Sequence, residues 1–229
     1  MTQQIIVSGV SRGLGAAMFD CLMERGSVPI GIARRASEPL RDAERQGRCR
    51  LMECDLSVPG DVSKLDFASQ MSREATAVVF ISNAGVVEPV ALIGHIDETR
   101  MVESFMVNVV APAIIANKLA AIAAAKGLAF KAVNIGSGAS EHPIAGWSAY
   151  CAGKAAAQMF FDCLAGEPSG AAAETIDPGV IDTGMQEAIR RTPEHDFPDR
   201  AEFVRLKDEG LLQNPAAVAR NILKSQGLI

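Results

Sequence analysis

The stretch from Gln4 to Gly26 constrains this chain more than any other. Gln4 to Ser8 is a short apolar run, too short for a helix and bounded by glycine, and it reads as a buried strand. Ser8-Gly9-Val10-Ser11-Arg12-Gly13-Leu14-Gly15 follows. Leu14, Met18, Cys21 and Leu22 then mark one face of a helix that Gly26 ends. Strand, glycine turn and helix bring backbone N–H groups and a helix N-terminus to one point, where a pyrophosphate is favoured. The spacing is G-x-x-x-G-x-G and not the commoner G-x-G-x-x-G, so a plain tight connection stays open on this evidence alone.

The same alternation continues. Apolar runs at Val28 to Ala33, Arg50 to Cys54, Ala77 to Ser82 and Lys131 to Ile135 predict buried strands, and Glu174 to Asp177 a weaker, more polar one. Between them, helices are predicted over Val62 to Arg73, over Asp97 to Gly127 with Pro112 as a kink or restart, and from about Ala149. In the last of these Ala156, Met159, Phe160, Cys163 and Leu164 recur at helical spacing. Residues 185–212 are charged, with scattered apolar side chains, and read as a lid or insertion and not a core element. Pro215 opens a last short helix. Strands alternating with helices imply one doubly wound parallel sheet in a single domain over residues 1–229.

With 229 residues, 48% hydrophobic and 21% charged, the chain can bury a sizeable core. The net charge of −5 argues against a nucleic-acid partner. Met1-Thr2-Gln3-Gln4 carries no leader pattern. No run of about 18 apolar residues is expected to span a bilayer, because Asn108, Pro112, Asn117, Lys118 and Lys126 interrupt the best candidate, Met106 to Phe130. Five cysteines without a C-x-x-C pair read as small buried residues in a reducing, cytoplasmic compartment. His95, His142 and His195 lack metal-ligand spacing, and no metal is expected.

Several polar residues fall at strand ends, where an open α/β sheet binds ligands. Past the second strand, Arg34-Arg35 stands where an acid would bond the ribose 2′-hydroxyl of NAD and arginine would accept the 2′-phosphate of NADP. Arg12, inside the glycine turn, can face the same phosphate. Six arginines against three acids lie between Arg34 and Arg50, of which Arg41, Arg45 and Arg48 read as an ordinary solvated helix. These residues favour NADPH. Asp55, with Leu56, faces the crevice or caps a turn. Asn83-Ala84-Gly85 allows close backbone approach, and Asn108 is a polar amide in an apolar helix that needs partners if buried. Ser137 follows the fifth strand among small residues that leave its hydroxyl free. Tyr150 and Lys154, four apart, share a helix face. An ammonium beside a phenol would pull the Tyr150 pKa from roughly 10 towards neutrality and make it a proton donor or acceptor near pH 7. The pair can also simply share a face.

Taken in order, Gly9, Gly13 and Gly15, Asp55, Asn83-Ala84-Gly85, Asn108, Ser137, Tyr150 with Lys154, and Pro178-Gly179 with Thr183 resemble the short-chain dehydrogenase/reductase family, from about Gln4 to Thr183. Ser137 lies thirteen residues before Tyr150, the interval typical of that family. Gly146-Trp147 through Ala156, Asp182 to Gln186, and the charged stretch ending Lys207-Asp208-Glu209-Gly210 are similar to its sepiapterin and benzil reductase branch. The resemblance implies a Rossmann-type fold and reduction of a 1,2-dicarbonyl with NADPH; as a departure from the family, the usual seventh strand is not expected after the last helix. It implies Ser137, Tyr150, Lys154 and Asn108 as catalytic residues, the last holding a water that relays protons to Lys154. The cofactor would meet Gly9, Ser11, Arg12, Gly13, Leu14, Gly15, Arg34, Arg35, Asp55, Leu56, Asn83, Ala84, Gly85, Tyr150, Lys154, Pro178, Gly179, Ile181 and Thr183. Ser137, Ile144, Trp147, Tyr150, Met185 and Phe197 would wall the substrate pocket, with His142 on the surface. A homodimer through the helices at about 108–126 and 150–164 is expected. Ser8 and Ser82 replace a usual Thr and Asn, with little effect expected. Two rival readings remain open, a non-catalytic NADP(H) sensor on the same fold and an alcohol dehydrogenase working oxidatively.

Overall fold

The computed structural model describes residues 2–229. In chain order the elements are β1 (Gln3–Ser8), α1 (Gly13–Glu24), β2 (Ile30–Ala33), α2 (Glu38–Arg45), β3 (Arg50–Glu53), α3 (Pro59–Lys64), α4 (Phe67–Gln70), β4 (Ala77–Ser82), α5 (Glu98–Phe105), α6 (Ala111–Lys126), β5 (Ala129–Ile135), α7 (Ser148–Gly166), β6 (Ala172–Ile176), α8 (Gly184–Arg191), α9 (Arg200–Asp208) and α10 (Pro215–Ser225). All strands pair in parallel, in the order β3-β2-β1-β4-β5-β6. The chain runs outward from β1 to β3, then returns to lay β4 against the other side of β1. Ligands of such sheets sit above that reversal, at the carboxyl ends of β1 and β4.

Strand alternation assigns each face its own core. Ile5 and Val7 of β1, Val79 and Ile81 of β4, and Val133 and Ile135 of β5 pack with α1, α2 and α10. Ile6, Val78, Phe80 and Ala132 point the other way, onto Val62, Phe67, Ile115, Leu119 and Phe161 of α3, α4, α6 and α7. Among the described residues there is no seventh strand. Ile181 instead makes an isolated parallel bridge to Gln213, and α10 packs on α1.

Several expectations need correction. The region predicted as one helix over 62–73 is two short ones, α3 and α4, because Leu65 takes extended angles between them. The run Glu98–Lys126 is long and apolar enough, by length and composition, to cross a membrane. It packs instead on β4, β5, α3 and α7 as a core helix of the α/β layer. Pro112 does not break it; a five-residue π-helical turn, Met106–Val110, precedes the proline, which sits in the first turn of α6 where no N–H is needed. The buried face of α7 is Ala149, Tyr150, Gly153, Lys154, Ala157, Phe161 and Leu164; of the apolar set at helical spacing, Leu164 is buried and Phe160 half-buried. Ala156, Met159 and Cys163 form an exposed stripe. Cys163 is thus exposed and Cys151 half-buried, while Cys21, Cys49 and Cys54 are buried. Residues 185–212 contain α8 and α9, and they help to build a third small core: Ile189 and Phe197 are buried against Val87, Ala139, Trp147 and Tyr150.

Candidate active site and dinucleotide cleft

The glycine turn is built by close approach. Gly9 (φ 78°) and Gly13 (φ 62°) take left-handed angles that L side chains resist. At Gly15 a Cβ would lie 2.2 Å from the Gly9 carbonyl oxygen and 2.3 Å from Asn83 Nδ2. Asn83 explains the tightness: its Nδ2 donates to the Ser8 carbonyl at 3.0 Å and the Gly9 carbonyl at 3.4 Å. The Ser8 hydroxyl accepts from the N–H groups of Asn83 (3.0 Å) and Ala84 (3.1 Å), so serine supplies the hydroxyl here. The β1 and β4 loops are therefore stitched together at the sheet reversal. Arg12, the N-cap of α1, makes no capping bond, and no acid lies in the first turn. That helix N-terminus is left to an anion. Exposed Ser11 and buried Leu14 complete the turn.

Beyond β2, the arginines divide. Arg41 pairs with Glu53 at 2.6 Å, and Arg45 with Glu38 and Asp42. Arg34 and Arg35 are exposed and enter no ion pair among the described residues. Asp55 caps a turn: its Oδ1 accepts from Ser57 N–H at 3.0 Å and Ser57 hydroxyl at 2.7 Å. Those bonds hold its carboxyl below the usual range, with a smaller contribution from the nearby Arg34 charge. Leu56 is buried in the core behind it.

At the other half of the crevice, Ser137 caps a 3₁₀ turn at Gly138–Ser140, its hydroxyl accepting from Ala139 N–H at 3.2 Å. Lys154 is buried on α7; its Nζ donates to the Ile135 carbonyl at 2.8 Å and stands 5.8 Å from the Tyr150 ring centre. Gly85 lies between groups of the same site, since a Cβ there would be 3.2 Å from Asn108 Oδ1 and 3.7 Å from Lys154 Nζ. Asn108, in the π turn, is fully engaged: its Oδ1 accepts from Val86 N–H (3.0 Å), and its Nδ2 donates to the Val86 carbonyl (2.9 Å) and Ser104 hydroxyl (3.2 Å). These bonds make Asn108 a bracket that fixes the β4 loop.

The expected tuning of Tyr150 is also corrected. Its pKa is raised above its ordinary value by burial, with Asp177 adding to the rise; the nearby Ser137 hydroxyl pulls the other way. Lys154 is pushed down to about 8 by burial, which Asp177 partly opposes. The cause is the low dielectric of the third core, where either charged form is disfavoured. Trp147 stacks on Phe197 (ring centres 5.0 Å, interplanar 7°) and meets Tyr150 edge-on at 5.4 Å. Ile144 and Met185 are half-buried and pack against the same apolar cluster as Trp147 and Tyr150. His142 is exposed.

The last loop is pinned by a residue that sequence reading passed over. Gln213 Nε2 donates to the Pro178 carbonyl at 3.3 Å, and a Cβ on Gly179 would meet that nitrogen at 2.4 Å. Gln213 also bridges Ile181, holding the loop that leads to Thr183. Thr183 Cγ2 then packs 3.3 Å from a Cβ position on Gly13, so the glycine turn and the start of α8 face each other. Asp177, likewise unforeseen, sits before Pro178 with Oδ1 accepting from Gly179 N–H at 2.9 Å.

Relatives share this frame. The chain is 32% identical to a benzil reductase ((S)-benzoin forming) of Bacillus cereus, covering 97% of this chain and 94% of that protein. It is 29% identical to sepiapterin reductase of Bos taurus, covering 95% and 87%. The crystal structure of KRED1-Pglu superposes with a TM-score of 0.83 at 28% identity, covering 94% of this chain and 91% of that one. Residues 3–194 match the family described as short chain dehydrogenase. A six-stranded doubly wound sheet, the stitched glycine turn, and Ser137, Tyr150 and Lys154 above the crevice thus accompany a family match over most of the sequence, and the chain belongs to the short-chain dehydrogenase family of oxidoreductases.

Proposed function

We propose that this chain is an NADPH-dependent carbonyl reductase acting on a ketone, with 1,2-dicarbonyls of the benzil type as its substrates. One arrangement carries the reading: Tyr150, with Lys154 Nζ 5.8 Å from its ring centre, is a buried phenol whose pKa burial raises, so that it keeps its proton. A protonated phenol gives a proton, as reduction needs, whereas oxidation of an alcohol needs a base. In this reading the Ser137 hydroxyl and Tyr150 hydroxyl hold the substrate oxygen. As negative charge develops there, Ser137 stabilises it and Tyr150 delivers its proton to that oxygen. The ammonium of Lys154 favours the departing proton's phenolate. NADPH, when bound, supplies the hydride. The residues fit such a group: α1 presents uncapped N–H donors without an acid, Gly15 makes room for backbone approach, and Arg34 and Arg35 lack ion-pair partners.

The direct test is NADPH absorbance with a panel of benzil, other diketones and simple ketones, repeated with NADH. Diketones are expected to react fastest with NADPH; no consumption of either nucleotide with any carbonyl would refute the enzyme reading. For cofactor choice, Arg34→Asp should weaken NADPH by roughly tenfold or more, the loss of one exposed charge-assisted bond, and leave NADH nearly unchanged. Equal loss with both nucleotides would mean that Arg34 supports the fold and does not read the 2′-phosphate.

The same reading includes a homodimer and a cytoplasmic setting. None of the five cysteines forms a disulfide, as a reducing compartment allows. The exposed stripe on α7 includes Met159, 64% exposed, and Val102 of α5 is 63% exposed. Met159→Lys should shift the species seen by light scattering from dimer to monomer; an unchanged mass would remove α7 from the interface.

A further inference from the structure

The cleft in front of the glycine turn has a second wall, built by the segment after Thr183. It encloses about 610 Å³, and Gly13, Thr183, Gly184, Glu187, Arg190 and Lys207 are among its lining residues. Its acids already have cations: Lys207 Nζ donates to Asp182 at 2.7 Å, and Glu187 pairs with Arg191. Arg190 is different. It makes no ion pair among the described residues, and its Nη1 is closed off from solvent without any hydrogen-bond partner. A guanidinium nitrogen so placed has given up water and received nothing in return, a costly state that an entering acceptor relieves. From the opposite wall Arg12 reaches over the same opening, its Nη1 3.9 Å from where a Cβ of Gly184 would stand. Gly13, the first residue of the uncapped α1, lines the same cleft.

We propose that Arg190, carried by α8, is a second anchor for the diphosphate of the dinucleotide and closes over it from the side opposite the glycine turn. The proposal rests on the dinucleotide reading above. Its chemistry is that of a planar fork meeting phosphate oxygens. Ile189, the preceding residue, is buried beside Trp147 and Tyr150 in the third core. A bond from Arg190 to the diphosphate therefore orders the lid and the wall of the catalytic pocket in one event. NADH and NADPH share the diphosphate, so Arg190 serves both alike, whereas Arg34 tells them apart.

The experiment is fluorescence titration of the whole protein with NADPH and with NADH, without substrate, for wild type, Arg190→Gln and Arg190→Lys. Thermal midpoints are taken with and without NADP⁺. Arg190→Gln is expected to weaken both nucleotides by about tenfold, the loss of one charge-assisted bond. Its midpoint without nucleotide should match wild type, because Nη1 has no partner to lose, and its gain on adding NADP⁺ should be smaller. Arg190→Lys, with the charge but not the fork, should fall between. Unchanged affinities would overturn the proposal. So would a loss confined to NADPH, which would make Arg190 a reader of the 2′-phosphate, or a nucleotide-free midpoint lowered as much as the bound one. A wild-type protein that binds neither nucleotide would instead remove the dinucleotide reading itself.

Discussion

Replacing Tyr150 by Phe should cut the rate of NADPH oxidation with benzil by about 10²–10⁴-fold, the range supplied by a positioned general acid. The substitution isolates the chemistry because the ring itself belongs to the third core. Phe keeps the edge-on contact with Trp147 and loses only the hydroxyl. NADPH affinity and thermal midpoint should therefore stay close to wild type while turnover collapses. The wild-type pH profile adds a second readout. Lys154 carries its charge below about pH 8 and loses it above. Reduction should accordingly hold up through neutrality and decline as pH rises past that point. A Tyr150→Phe protein that reduces benzil at near wild-type rate would sink the assignment.

The second large effect is expected at Gly15→Ala. Its Cβ would stand 2.2 Å from the Gly9 carbonyl oxygen and 2.3 Å from Asn83 Nδ2; the first is backbone, and the second is held by its bonds to the Ser8 and Gly9 carbonyls. The helix must shift or the Asn83 bracket must open. Overpacking of that kind costs about 2–3 kcal/mol, a midpoint lowered by about 5–10 °C for a chain of this size. NADPH affinity should fall as well, because the backbone donors of the turn are displaced. Scanning calorimetry and fluorescence titration check both. An unchanged midpoint with unchanged affinity would mean that the turn is less rigid than its contacts imply.

What could be read from the residues alone follows a physical division. The strand–turn–helix opening, the alternating sheet and the shared helix face of Tyr150 and Lys154 depend on period and spacing, which a sequence displays directly, whereas Ser137 is tied to them by family resemblance. The protonation of Tyr150 was misread because helix geometry shows the neighbouring ammonium but not the burial that outweighs it. Asn108 announced itself as a buried amide, yet its partner Val86 lies 22 positions away, across a loop without periodic signal. The buried face of α7 is not legible for a related reason. Its stripe of Ala156, Met159 and Cys163 is as apolar as a core face, and composition cannot say which apolar stripe meets the sheet. Arg190, Gln213 and Asp177 sit in stretches where only the tertiary fold gives a side chain its neighbour.

The order of the sheet has one more consequence. Because β1 is followed outward by β2 and β3, the residues read as addressing the adenosine end of the cofactor, Arg34, Arg35 and Asp55, belong to the first quarter of the chain. Those read as handling the carbonyl, Ser137, Tyr150 and Lys154, come from beyond β5, on the far side of the reversal. In the proposed function, the choice of electron donor and the choice of electron acceptor thus fall to separate modules. Exchanging the turn after β2 should re-address the enzyme to another nucleotide pool while its chemistry is left intact.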